Sequence, residues 1–303
     1  MRFRSLGRTG LEVSVVGLGT WQFGGEWGRD FSQDDVDAIL DAAAEAGINL
    51  IDTAECYGDH LSERLIGDYL ARRDRSRWII ATKFGHRYFG FQNRRDDFSV
   101  AGVREQLDAS LAALGVDAID IYQFHSGPDD AFDNDALWEM LHERQRAGVI
   151  RHLGASLNTK TVRQSDEAAG RGVEVLQLIH NRLDRRAEER HFPFAARDGL
   201  GVLARVPLAS GLLSGKYRAG ARFPANDVRS RTAPDVLAER LAEVERIEHA
   251  EVPPGVPMAQ WAIAWCLADS RVSAVIPGCK SVEQVRTNAA AAGLAVNAGP
   301  PSP

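Results

Sequence analysis

At 303 residues and 44% hydrophobic content, the chain is long enough to bury a large core and matches a barrel of about 250 residues carrying a few insertions. A net charge of −6, with Lys and Arg scattered among acids, leaves no basic footprint for nucleic acid. No apolar run approaches the ~18 residues of a membrane span, and the start MRFRSLGRTG lacks the apolar core of a signal peptide, so a cytoplasmic protein without membrane contact is expected.

Taken in chain order, FRSL and LEVSVVGLG flank Gly7 and Gly10 and predict a short β-hairpin that closes the floor of the fold. Asp34 to Gly47 carries Val36, Ile39, Leu40 and Ala43 at helical spacing after the potential cap Ser32. NLIDTAECYG is a strand and turn, Ser62 opens a helix through Leu65, Ile66, Tyr69 and Leu70, and WIIATK is a strand. Ser99 to Gly115 is helical, IDIYQFH a strand, Asp133 to Gly148 helical, VIRHLGAS extended, Thr159 to Gly170 helical and EVLQLIH extended. A short helix to Gly199, the strand GVLARVPLA, a polar insertion from Gly211 to Pro234, two helical stretches, the strand RVSAVIPG and a last helix from Ser281 complete the chain; residues 293–303 are expected to fray.

Eight strand-like runs alternating with helices imply parallel strands joined by right-handed crossovers. An open dinucleotide-binding sheet requires GxGxxG after its first strand, but Gln22 stands where the third glycine belongs. The predicted fold is therefore α/β, a (β/α)8 TIM barrel with an N-terminal β-hairpin, forming one domain over residues 1–303. SGLLSGKY is no P-loop, because its glycines are too close and Tyr217 replaces the Ser or Thr. Cys56, Cys266 and Cys279 lie far apart without CxxC spacing, and HERQR from His142 lacks the second histidine of HExxH, so no disulfide framework and no metal site are expected.

Four polar residues, Asp52, Tyr57, Lys83 and His125, stand at or just past the ends of three predicted strands. In a parallel barrel those ends surround one mouth, where barrel enzymes place their chemistry. Hydride delivery to a carbonyl carbon leaves negative charge on the oxygen, so a proton donor is needed within reach of it. Tyr57 is the candidate, with Lys83 lowering its pKa by favouring the phenolate, Asp52 holding Lys83 charged, and His125 orienting the carbonyl.

The order and spacing of DTAECYG, TKFG and YQFH, with GLGTW, GDHLSERLIG, ARVPLASGLLSGKY and VIPGCKSVEQVRTN, resemble the aldo-keto reductase superfamily over nearly the whole chain. The resemblance implies a barrel that binds NADPH, or less often NADH, and reduces aldehydes or ketones to alcohols. It implies Tyr57 as general acid, Lys83 and Asp52 as its tuning pair and His125 as the carbonyl-orienting residue, with Trp21, Tyr57 and His125 lining the substrate position. For the cofactor it implies Gly19, Thr20, Trp21 and Asp52 beside the nicotinamide, and Ser156 and Gln177 on its carboxamide. Arg205, Pro207, Leu208, Ser210, Gly211 and Lys216 would cover the pyrophosphate, and Gly278, Lys280, Gln284 and Asn288 would receive the adenosine end.

The sequence departs from the family pattern at Leu157, which follows Ser156 where many members have Asn, and at Arg205, where many stack an aromatic. It departs again at Gly278 and Gln284, where part of the family has the 2′-phosphate cations; Lys280 and Arg286 are the nearby cations that substitute, favouring NADPH over NADH. Trp21, Phe23 and Trp27 on one loop and Tyr88, Phe89 and Phe91 on another are expected to wall the mouth around a small-molecule carbonyl substrate, while the polar residues Arg87, Asn93, Arg94 and Arg95 read as a solvated charged loop. Two alternatives accompany this reading: an NAD(P)-dependent sugar or alcohol dehydrogenase working in reverse, and a non-catalytic cofactor-sensing partner subunit. Oligomeric state and native substrate are left open.

Overall fold

The computed structural model describes residues 1–158 and 162–296. The chain opens with the antiparallel hairpin β1 (Phe3–Ser5) and β2 (Glu12–Ser14). It continues through β3 (Leu18–Gly19), α1 (Gln33–Glu45), β4 (Leu50–Asp52), α2 (Leu61–Leu70), β5 (Ile79–Phe84), a second hairpin β6 (His86–Tyr88) and β7 (Arg94–Asp96), α3 (Val100–Leu114) and β8 (Ile119–His125). Then follow α4 (Asp129–Phe132), α5 (Asp135–Arg146), β9 (Ile150–Ser156), α6 (Arg163–Glu167), β10 (Val175–Ile179), α7 (Arg186–Arg190), α8 (Phe192–Asp198) and β11 (Gly201–Arg205). The last elements are α9 (Pro234–Glu251), α10 (Met258–Ala268), β12 (Ala274–Ile276) and α11 (Val282–Ala290).

Strands β3, β4, β5, β8, β9, β10, β11 and β12 form one eight-stranded parallel sheet in chain order. Parallel bridges Val16 to Val275 and Gly19 to Gly278 join its last strand to its first. The fold is the (β/α)8 barrel that the alternation predicted, with the N-terminal hairpin beneath it.

The barrel interior is layered. Leu50, Ala81, Ile121, Val175, Leu203 and Ala274 pack together with Leu6 and Val13 of the hairpin, giving an apolar plug at the N-terminal end. Gly201 permits that approach, since a Cβ there would lie 2.6 Å from Leu6 Cδ1. Side chains alternate faces along a strand, so residues two steps further on also point inward. Those residues are Asp52, Lys83, Gln123, Gln177 and Arg205, which place a polar layer directly above the apolar one, while Ile276 at the same level stays apolar. The larger core lies between the outside of the sheet and the helices, with Ile80, Tyr122, Phe124, Leu153, Leu176 and Val202 facing outward into it.

Helix ends follow their capping residues. Ser32 and Asp35 form a capping box on α1, Ser99 and Ser281 cap α3 and α11, and Gly115 and Gly199 end α3 and α8 in the left-handed region. Three details differ from the sequence reading. Ser62 lies inside α2 and its Oγ donates to the Thr20 carbonyl, while His60 takes the N-cap position at φ 61°. The stretch from Asp133 starts its helix at Asp135, capped by Asn134. The hairpin β6–β7 stands where the sequence reads as a charged loop, because its strands are only three residues long and carry five charges or imidazoles between them. Of the helix predicted from Thr159, residues 159–161 lie outside the described residues, as does most of the tail expected to fray.

His180, just past β10, is buried against Phe192 and Trp265, and among the described residues neither ring nitrogen has a hydrogen-bond partner. Burial drives its pKa down to about 4, and burial does the same to His191. The folded protein thus binds fewer protons than the unfolded chain between about pH 6.5 and pH 4, so stability falls as pH drops through that window. Urea unfolding across a pH series should show this slope, and His180→Leu should reduce it.

Candidate active site

At the centre of the polar layer is Lys83, whose side chain is wholly buried. Its Nζ donates to Asp52 Oδ1 at 2.7 Å, to the Thr53 carbonyl at 2.6 Å and to Tyr57 Oη at 3.4 Å, which uses all three ammonium protons. Burial works to lower its pKa, but the Asp52 carboxylate outweighs this and holds the ammonium above the ordinary lysine range. The second oxygen of Asp52 accepts from Gln177 Nε2 at 2.6 Å and Gln123 Nε2 at 3.2 Å. Asp52 is thereby bound from three strands.

Tyr57 sits in the turn that follows β4, its ring stacked 5.9 Å from Trp21. Burial pushes the phenol up to about 12, with Lys83 pulling in the opposite direction. The sequence reading expected Lys83 to bring this pKa below its usual value; desolvation is the larger effect, and the phenol stays protonated at neutral pH. His125 meets Tyr57 edge-on at 6.4 Å between ring centroids. Its Nδ1 lies 3.8 Å from Cys56 Sγ and 3.8 Å from Glu55 Oε1. Burial brings the imidazole down to about 3 and keeps it neutral. Burial also works to raise the Glu55 carboxyl, but His125 and His86 outweigh it and leave Glu55 ionised, at about 2.

These groups open into a cavity of about 580 Å3 that runs from Asp52 and Tyr57 to the start of α11. Of the predicted cofactor residues, Gly19, Thr20, Trp21, Asp52, Gln177, Arg205, Pro207, Leu208, Ser210, Gly211, Lys216, Gly278, Lys280, Gln284 and Asn288 all line it. Ser156 does not: it is buried behind Gln177 and its Oγ donates to Gln177 Oε1 at 3.2 Å. The wall suits a dinucleotide. Gly278 leaves backbone bare, since a Cβ there would meet the Gln22 amide at 2.1 Å, and Arg205 Nε and Gln22 Oε1 are buried without a partner among the described residues. Val206, Ala209 and Ser210 hold φ of 58°, 47° and 57° over the cavity, a backbone strain that collects at functional segments.

A strap crosses this cavity. The loop after β3 pairs with the segment before α9 through a Trp27–Asp227 bridge, with Gly28 N–H donating to the Asn226 carbonyl and Val228 N–H to the Glu26 carbonyl. Lys280 Nζ donates to the Trp27 carbonyl. Arg286 instead faces away, paired with Glu45 at 3.6 Å, and is no substitute cation for a 2′-phosphate.

The aromatic wall is also narrower than expected. Trp21 and Trp27 line the cavity, but Phe23 is buried against Phe31 and Phe89 faces solvent. The second loop contributes His86 and Arg94. Arg94 is a half-buried cation bound to buried Glu26, which also accepts from Trp21 Nε1 at 2.9 Å. Gln123, Glu55, Cys56, Glu26 and Arg94 are the neighbours that sequence reasoning missed. Gln123 was within reach of it, since strand alternation aims the residue two before His125 at the same interior.

A closed parallel barrel carrying a buried Lys–Asp pair under a tyrosine at its C-terminal mouth defines a barrel oxidoreductase. Residues 15–297 match the Aldo/keto reductase family, and the chain belongs to it. It is 33% identical over 297 residues to the oxidoreductase YqkF of Bacillus subtilis, covering 96% of this chain and 91% of that one. It is 32% identical over 306 residues to the NADH-specific methylglyoxal reductase of Escherichia coli, covering 94% and 92%. The holo form of aldo-keto reductase AKR11C1 from Bacillus halodurans superposes with a TM-score of 0.82 at 30% identity, covering 98% and 92%.

Breaking a buried ion pair from one side leaves an uncompensated charge and costs roughly 3–5 kcal/mol, whereas replacing both partners with apolar groups costs far less. Lys83→Met should therefore lose about that much stability in urea unfolding, and Asp52→Leu combined with Lys83→Met should regain most of it.

Proposed function

We propose that the chain is an NAD(P)H-dependent reductase that converts an aldehyde or ketone to the alcohol, with Tyr57 as general acid and NADPH favoured over NADH. The observation that carries this reading is the single ammonium of Lys83 joining the Asp52 carboxylate to the Tyr57 phenol at the inner end of a dinucleotide-sized cavity.

A bound nicotinamide supplies a hydride to the carbonyl carbon. As negative charge builds on the carbonyl oxygen, Tyr57 gives that oxygen its Oη proton. Lys83 stabilises the phenolate left behind, and Asp52 keeps Lys83 charged and aimed. His125 flanks the oxygen and orients it, while Trp21, stacked on Tyr57, forms the apolar side of the substrate position. Gln177 presents an amide to the ring's carboxamide, with Ser156 fixing that amide from behind. Pro207, Leu208, Ser210, Gly211 and Lys216 cover the pyrophosphate, and Gly278, Lys280, Gln284 and Asn288 receive the adenosine. Lys280 is the cation at that end, and swinging Nζ from the Trp27 carbonyl to a 2′-phosphate exchanges a neutral acceptor for a charged one.

Tyr57→Phe keeps the ring stack and removes the proton. It should retain cofactor affinity, measured by fluorescence titration, and lose turnover by roughly 10²–10⁴-fold; full activity would remove Tyr57 from the role. Lys280→Ala should weaken NADPH by roughly tenfold or more and NADH much less, whereas equal loss for both would take Lys280 out of the 2′-phosphate site.

A further inference from the structure

We propose that Glu55, Cys56 and His125 form a binding site for a divalent cation of the Zn2+ class, and that its occupancy inhibits reduction by blocking the substrate end of the cavity. Among the described residues they are the one group of three His, Cys, Asp or Glu side chains whose ligand atoms all lie within 4.8 Å of one another. His125 Nδ1 is 3.8 Å from both Cys56 Sγ and Glu55 Oε1. Around a tetrahedral zinc with ordinary Zn–S and Zn–N bonds, neighbouring ligand atoms stand about 3.5 Å apart. His125 thus needs to close on Cys56 and on Glu55 by only a few tenths of an ångström, and the Cys56 and Glu55 ligand atoms lie within 4.8 Å of each other.

A second observation points to a ligand at the same place. Glu55 is 2% exposed, and its Oε2 has no hydrogen-bond partner among the described residues, while Oε1 accepts from the His86 N–H at 2.9 Å. A buried carboxylate oxygen without a donor is costly, and a cation satisfies it. The donor set of one sulfur, one nitrogen and one oxygen suits Zn2+ rather than Mg2+ or Ca2+. Charge also balances: as the Zn–S bond forms, the Cys56 thiol releases its proton to water, and thiolate plus Glu55 carboxylate neutralise the 2+ ion beside a neutral imidazole. All three ligands stand on rigid ends, Glu55 and Cys56 in the turn after β4 and His125 at the last position of β8. Cys56 and His125 line the same cavity as Tyr57, which gives the ion a way in. Three protein ligands with one open position is the arrangement of reactive rather than structural zinc sites. Inhibition rests on the reading that His125 borders the reacting carbonyl; binding does not.

Co2+ titration of tag-free protein without cofactor reads the site directly, through the thiolate-to-cobalt charge-transfer absorption. One equivalent of Co2+ should give the band, Zn2+ should displace it, and Cys56→Ser should abolish it. Cys266→Ala and Cys279→Ala, which alter buried thiols elsewhere, should keep it. Glu55→Gln should weaken the metal by more than about tenfold and serves as the second test should Cys56→Ser fold poorly. No band in the wild-type protein, or one that survives Cys56→Ser, overturns the site. With a carbonyl that is turned over, Zn2+ should inhibit competitively against it, and each variant's sensitivity is judged against its own uninhibited rate; a cobalt band without zinc inhibition overturns the inhibitory half. A protein that reduces no carbonyl yet gives the Cys56-dependent band keeps the site and refutes the reductase reading.

Discussion

An ammonium group buried inside a barrel is the constraint around which the mouth of this protein is arranged. Removing a charge of that size from water costs several kcal/mol even after relaxation, and the cost is met only if every proton finds an acceptor and one acceptor carries the opposite charge. Lys83 achieves this with Asp52, the Thr53 carbonyl and Tyr57. All three acceptors come from β4 and the turn after it, so the pairing of β4 with β5, Asp52 opposite Ala81, fixes where the phenol can stand. A slip of one residue would turn Lys83 to the outside of the barrel.

The layering of the barrel makes that ammonium useful. Below it, Leu50, Ala81, Ile121, Val175 and Leu203 pack as a buried apolar layer at the N-terminal end. Above it, the strap of Trp27 and Asp227 and the strained run Val206 to Ser210 border a cavity of about 580 Å3. In such low-dielectric surroundings the Asp52–Lys83 attraction is stronger than in water, and the same surroundings determine the proton on Tyr57. Burial raises the phenol more than Lys83 lowers it, so the group enters the proposed reaction carrying the proton it is to donate. Lys83 then acts on the charge that appears when the proton leaves.

His125 has two different sides. Its ring edge faces Tyr57 and the cavity, whereas Nδ1 faces a carboxylate and a thiol. Burial holds the imidazole neutral against the pull of Glu55, and the contacts of Glu55 with His125 and His86 hold its carboxylate ionised against burial. The Nδ1 side belongs to no step of the proposed carbonyl reduction, and it is the part of the mouth whose donors the proposed cation would take.

Much of this was legible in the sequence, for reasons that are local. Strand and helix periods, Ser caps and closing glycines are short-range signals, and the order of Asp52, Tyr57, Lys83 and His125 at strand ends implies convergence once the strands are parallel. The alternation within LID, ATK, IYQ and VLQ even encodes an apolar layer under a polar one. What the tertiary structure decided are the contacts between segments remote in the chain: Gln177 and Gln123 on Asp52, Ser156 behind Gln177, Arg286 turned to Glu45, Arg94 bound to Glu26, and Glu55 and Cys56 brought to His125 some seventy positions away. It also decided the pKa of Tyr57, because desolvation depends on everything packed around a group, and no window of sequence contains that.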